Sequence, residues 1–117
     1  MSSELQDFFY RHVKIIKDTR ATCSECGCRL IGDFSEVAHI LPKGRFKSIS
    51  TNDNNVIYLC GWKWGNNCHA KYDNGSRGDL EKMAIFSHVS KSFDELIEIV
   101  EEKITYKDYA RWETEYH

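Results

Sequence analysis

The chain has a single proline, no low-complexity run, no internal repeat and no apolar stretch near the roughly 18 residues that a membrane-crossing helix needs. With 41% hydrophobic and 29% charged residues and no biased tract, it has the balance of an ordinary globular protein and not of a disordered one. Without a repeat or an obvious linker, its 117 residues are expected to form one domain, 1–117, around one modest core. The start, MSSELQDFFYRH, lacks the apolar run of a secretory signal, so the expected compartment is the cytoplasm and no membrane partner is expected.

Nor is there an excess of positive charge, since the formal net charge is −2. The total hides its distribution. Residues 1–38 carry net −1 and residues 78–117 net −5, whereas residues 39–77 hold 6 Lys/Arg against 2 Asp/Glu. A surface that meets phosphates is expected in that middle third.

Ser3 with Gln6 reads as a capping box, and Leu5, Phe8, Phe9, Val13 and Ile16 recur at helical spacing, which predicts a helix over about 4–18. Residues 19–34 suit a cysteine knuckle leading into a hairpin, with strands at 36–41 and 56–59 separated by a polar loop over 42–54. A short helix is expected to open at Cys68. Further helices are predicted over 79–88, from a Ser92–Glu95 capping box to about 103, and after Thr105 with Tyr106, Tyr109 and Trp112 facing the core. The class is therefore α+β.

Five cysteines in a reducing compartment suit metal ligation better than a disulfide framework. Cys23 and Cys26 form a CxxC knuckle in which Gly27 allows the tight turn, and Cys60 and Cys68 supply a second pair of thiolates. These four are the expected ligands of a structural Zn²⁺. Cys28 is surplus, a core residue or a substitute for Cys26 if the knuckle winds differently. Four thiolates close a tetrahedron and leave no position for substrate, so any catalysis must lie elsewhere.

Between the cysteine pairs lie Val37-Ala38-His39-Ile40-Leu41-Pro42, then Asn55-Val56-Ile57-Tyr58-Leu59-Cys60, then Cys68-His69. This order, over about residues 23–73, resembles the HNH endonuclease family in its zinc-binding form. The resemblance implies a ββα-metal core, flanked here by the N-terminal helix and by a helical extension over about 78–117. It further implies His39 as general base, Asn55 as the residue that fixes the loop bearing His39, and His69 as a ligand of a catalytic Mg²⁺ or Mn²⁺, for which Co²⁺ or Ni²⁺ can substitute. The chemistry agrees, because a neutral imidazole can take a proton from water near neutral pH. The family's acid before the base is absent, since that position is Ala38. Glu36, two residues away along the strand, is the expected substitute, with Asp53 and Asp73 as alternatives.

Lys43, Arg45 and Lys47 after the base, and Lys63, Lys71 and Arg77 around the helix that begins at Cys68, are expected to hold DNA phosphates. Trp62 and Trp64 are expected to pack on the knuckle, with stacking on an unpaired base as the alternative. The acidic residues Glu98, Glu101, Glu102, Glu113 and Glu115 read as a solvated face, or as one that repels DNA or binds a protein partner, and the aromatic stripe of the last helix could instead form a homodimer seam. The expected function is a metal-dependent DNA endonuclease suited to a phage or mobile element. The competing readings are a zinc-stapled binding module for nucleic acid or protein with a decayed site, and a four-cysteine redox or metal sensor.

Overall fold

The computed structural model describes residues 2–63 and 65–114. Helix α1 spans Ser3–Thr19, capped one residue earlier than expected, by the Ser2 side chain accepting from the Leu5 amide at 3.1 Å. Its apolar stripe of Phe8, Phe9, Val13 and Ile16 is buried. At its C-terminus Arg20 takes a left-handed turn (φ 52°), and the chain enters the knuckle.

The knuckle is a miniature hairpin. Thr22 and Arg29 form an antiparallel bridge, the Cys23 amide donates to the Cys28 carbonyl at 2.8 Å, and Gly27 (φ +79°) turns the tip. The Ser24 amide donates to the Tyr58 carbonyl, which docks this hairpin on the end of the sheet.

The sheet consists of β1 (Val37–His39) and β2 (Val56–Tyr58), antiparallel, with Ala38 opposite Ile57 and His39 opposite Val56. The Leu59 amide donates to the Glu36 carbonyl and the Ile40 amide to the Asn55 carbonyl, so the pairing runs one step past each end. Both predicted strands are present but shorter, because Phe34–Glu36 is a turn of 3₁₀ helix and Ile40 leads out into the loop. Every residue of β1 is buried, and α1 packs against the strand.

Helix α2 is Cys68–Asn74, as expected at its start. The C-terminal third departs from expectation. The predicted 79–88 helix is divided into α3 (Arg77–Glu81) and the start of α4 (Phe86–Leu96). The Glu25 carboxylate of the knuckle takes the amides of Ala84 and Ile85 at 3.0 and 3.1 Å, which interrupts helical pairing there. Ser92 is not a cap but a buried position within α4, whose stripe of Val89, Phe93 and Leu96 sets the helix earlier than the Ser-x-x-Glu pattern suggested. Helix α5 (Tyr106–Trp112) has the expected Thr105 cap, completed by Asp108. Of its aromatic residues Trp112 is buried and Tyr106 is 68% exposed. The architecture is α+β, with five α-helices and one two-stranded sheet among the described residues. No helix among them is long and apolar enough to cross a membrane.

Candidate functional site

The loop between β1 and β2 has few apolar residues, yet it is tightly held, because Asn55 is fully buried and its side chain bonds to three backbone groups. Its Oδ1 accepts from the Leu41 amide at 2.7 Å, while Nδ2 donates to the carbonyls of Leu41 and Ile49 at 3.0 and 3.3 Å. One carboxamide thus ties both ends of the 41–55 loop. Phe46 and Ile49 are buried beneath it.

That loop orients His39. The Ser50 carbonyl lies 2.7 Å from His39 Nε2, and a carbonyl can only accept, so Nε2 carries the proton and Nδ1 keeps its lone pair. The ring is packed against Phe8 and Phe9, with centroids at 5.1 and 5.7 Å. Burial lowers its pKa from the ordinary 6.5, helped by the Lys43 and His69 charges, with the Ser50 bond opposing. The neutral imidazole is the favoured form.

His69 stands on the first turn of α2 with both ring nitrogens facing oxygen acceptors. Its Nδ1 donates to the Ser35 carbonyl at 2.6 Å, and Nε2 lies 3.0 Å from Asp73 Oδ2, one helical turn on. The Asp73 carboxylate raises the His69 pKa, against the effect of burial. His39, His69, Asp73 and Lys43 line one cavity of about 500 Å³, together with Tyr72 and Arg111.

The carboxylates sort differently from expectation. Glu36 is 1% exposed and does not reach this cavity. Its oxygens accept from the amides of Ile31, Gly32 and Asp33 at 2.7 to 3.2 Å, so it anchors the turn before β1. The reason is the 3₁₀ turn, which aims residue 36 back at the preceding backbone instead of along a strand face. Asp53 lies away from the cavity, paired with Arg11 and with His12 Nε2 at 2.7 and 2.8 Å. Asp73 is the acid the fold brings to the histidines.

Donor chemistry at His69 and Asp73 suits a hard or borderline divalent cation. A metal-binding imidazole generally donates its other N–H to a backbone carbonyl, as His69 does to Ser35. Nε2 and Oδ2 are joined as an ion pair at 3.0 Å, and a cation held by both would take the place of the proton between them.

The thiols form a separate cluster. The Sγ atoms of Cys23, Cys26, Cys28 and Cys60 lie within 4.8 Å of one another, close enough to hold a metal ion such as zinc. The expected quartet had Cys68 in the place of Cys28. The Thr22–Arg29 bridge sets Cys28 directly across from Cys23, which CxxC spacing alone does not reveal. Cys68 is nonetheless adjacent, since its amide lies 3.3 Å from Cys60 Sγ. Five thiols therefore crowd one place. The Cys28 amide and the Asn66 side chain hold Cys26 near pKa 6, while burial and the neighbouring thiols push Cys28 to about 12 and Cys68 higher still. Gly65 (φ +79°) closes over the cluster, where a Cβ would come within 2.8 Å of Cys28 Sγ.

Of the expected phosphate-binding cations, Lys43, Lys47 and Lys71 are exposed without an ion pair among the described residues. Arg45 instead donates to the Lys103 carbonyl and to Asp108 at 2.9 Å. Arg77 donates to the carbonyls of Ala110 and Arg111 and to Glu81, and Lys63 to Asp33 at 3.1 Å. These three tie elements together. Trp62 does not pack on the knuckle: it is 71% exposed with the Lys63 ammonium over its ring. Trp64 and Glu115 lie outside the described residues.

Arg111 is the site residue that sequence reading missed. Its guanidinium donates to the Tyr72 and Gly75 carbonyls at 2.6 and 2.8 Å, closing the C-terminal end of α2 beside the cavity. Nothing in the acidic tail marks it beyond its position in the last turn of a helix. No protein-family model, curated protein or solved structure matches this chain.

Proposed function

We propose that this protein is a metal-dependent DNA endonuclease of the HNH kind, hydrolysing phosphodiester bonds. One observation carries the reading: His39, His69 and Asp73 meet in one cavity beside Lys43, with each imidazole fixed by a backbone carbonyl and Nδ1 of His39 left as an acceptor. In this reading His39 takes a proton from the attacking water at Nδ1, and its burial keeps it neutral for that role. Asn55 keeps the loop, and so the Ser50 carbonyl, in place. Lys43 holds the phosphate at the cavity mouth.

His69 and Asp73 would hold Mg²⁺ or Mn²⁺, with Co²⁺ or Ni²⁺ as substitutes, and such an ion when bound neutralises charge on the phosphate and the leaving oxygen. The expected ends are 5′-phosphate and 3′-hydroxyl. The cysteine cluster takes Zn²⁺ in a structural role, remote from hydrolysis.

The test is incubation of the pure protein with supercoiled plasmid and each divalent metal in turn. Nicked or linear product that vanishes in the His39→Ala protein supports the reading. A protein that binds plasmid and leaves it intact with every metal would instead be a zinc-stapled binding module.

A further inference from the structure

A second cavity shares Ser35, His69 and Asp73 with the first and is completed by Trp62, Asn67 and Asn74. Trp62, at 71%, is the most exposed large apolar side chain among the described residues. Its indole is not simply loose. The Lys63 ammonium sits 5.3 Å from the ring centroid and is itself 3.1 Å from Asp33 Oδ1, a residue capped onto the turn before β1. The ring is thus tethered by a cation while most of its surface stays open to solvent.

We propose that Trp62 is a stacking platform for an unpaired nucleobase, so that the site acts on DNA with single-stranded character beside the scissile phosphate. This rests on the nuclease reading above. In a duplex both faces of each base are covered by its neighbours, so an indole at the rim of the site can stack only on a base that has left the helix. Every base presents a π face, which makes such stacking tolerant of sequence. The Asn67 and Asn74 carboxamides line the same cavity and offer both donors and acceptors to a base edge. One cavity joins Trp62 to His69 and Asp73, so a base on the indole would belong to a nucleotide that enters the same site.

The experiment measures binding and cleavage separately on the full chain, as wild type, Trp62→Ala and Trp62→Phe. Without added Mg²⁺ or Mn²⁺, a short labelled single strand and its duplex are titrated by fluorescence anisotropy. Trp62→Ala should weaken single-strand binding roughly 5- to 150-fold, the usual worth of one base–aromatic stack, and Trp62→Phe should keep most of the affinity. Duplex binding should barely change. A 2-aminopurine base in the strand should be quenched by the wild type and not by Trp62→Ala. Equal losses on strand and duplex, or no loss on either, would overturn the platform. Failure of the wild type to cut any DNA with any metal would instead overturn the nuclease reading, while the binding data still judge Trp62.

Discussion

At the scale of single residues, the two histidines are distinguished by which nitrogen is tied down. His39 gives Nε2 to the Ser50 carbonyl and leaves Nδ1 free, whereas His69 gives Nδ1 to the Ser35 carbonyl and Nε2 to Asp73, so in the proposed mechanism the first is the base and the second, with Asp73, the cation ligand. His39→Ala should lower plasmid cleavage roughly 10²- to 10⁴-fold with circular dichroism unchanged, the usual contribution of a positioned general base. A base works in its neutral form, and burial lowers the His39 pKa below 6.5, so the acid limb of the rate profile should fall below that value. A limb above pH 7, or full activity of the variant, would remove His39 from the mechanism. Asp73→Asn should raise the metal concentration needed for half-maximal cleavage, and Glu36→Gln should not.

At the scale of elements, the Glu36 contrast is the more instructive one. Its carboxylate satisfies three amides in a buried turn, so Glu36→Gln replaces an acceptor-only group with one whose NH₂ faces donors. The expected cost is about 1–3 kcal/mol in chemical denaturation. An unchanged midpoint, with a raised metal demand, would return Glu36 to the candidate ligands. The hairpin, α1 and the Thr105 cap were legible in the sequence because each rests on local signals: periodicity, a cap or a β-branched run. Asn55 and His69 were legible from the order of residues around them. Glu36 was misread because the 3₁₀ turn at 34–36 breaks the strand alternation that the reading assumed. Ser92 was misread because packing of Val89 and Phe93 decides where α4 starts, and a capping pattern does not. Arg45, Arg77 and Arg111 were illegible in another sense, since their partners are backbone carbonyls far along the chain.

Over the whole molecule, the C-terminal third closes against the middle through those arginines and through Ser48, whose hydroxyl and amide donate to Glu102. Part of the acidic tail is therefore docked on the 47–49 turn. This changes what charge neutralisation should do: Lys43 and Lys47 can meet phosphates, whereas Arg45 is held by Asp108. Neutralising both lysines should flatten the salt dependence of DNA binding by about two units of log–log slope, and adding Arg45→Gln should cost stability without flattening it further. A slope unchanged by the lysine pair would mean that this loop faces away from DNA.

The cysteine cluster joins the knuckle to the segment after β2, with Cys68 at the start of α2 beside it. Two of the five possible quartets matter here, the one whose Sγ atoms lie within 4.8 Å of one another, Cys23, Cys26, Cys28 and Cys60, and the expected one with Cys68 in the place of Cys28; Cys23, Cys26 and Cys60 are common to both. Losing a shared thiol breaks both of these quartets, whereas losing Cys28 or Cys68 leaves one of them whole. Elemental analysis should therefore find one zinc per chain in the wild type, in Cys28→Ser and in Cys68→Ser, and much less in Cys60→Ser. Structural zinc contributes directly to folding free energy, so Cys60→Ser should melt well below the others, and a strong chelator should bring the wild type down toward it. Co²⁺ in place of Zn²⁺ gives a second reading, since thiolate-to-cobalt absorption should keep its tetrahedral character in the Cys28 and Cys68 variants. Full zinc in Cys60→Ser would exclude Cys60 as a ligand, and loss of zinc from Cys28→Ser alone would make Cys28 the obligatory fourth thiolate.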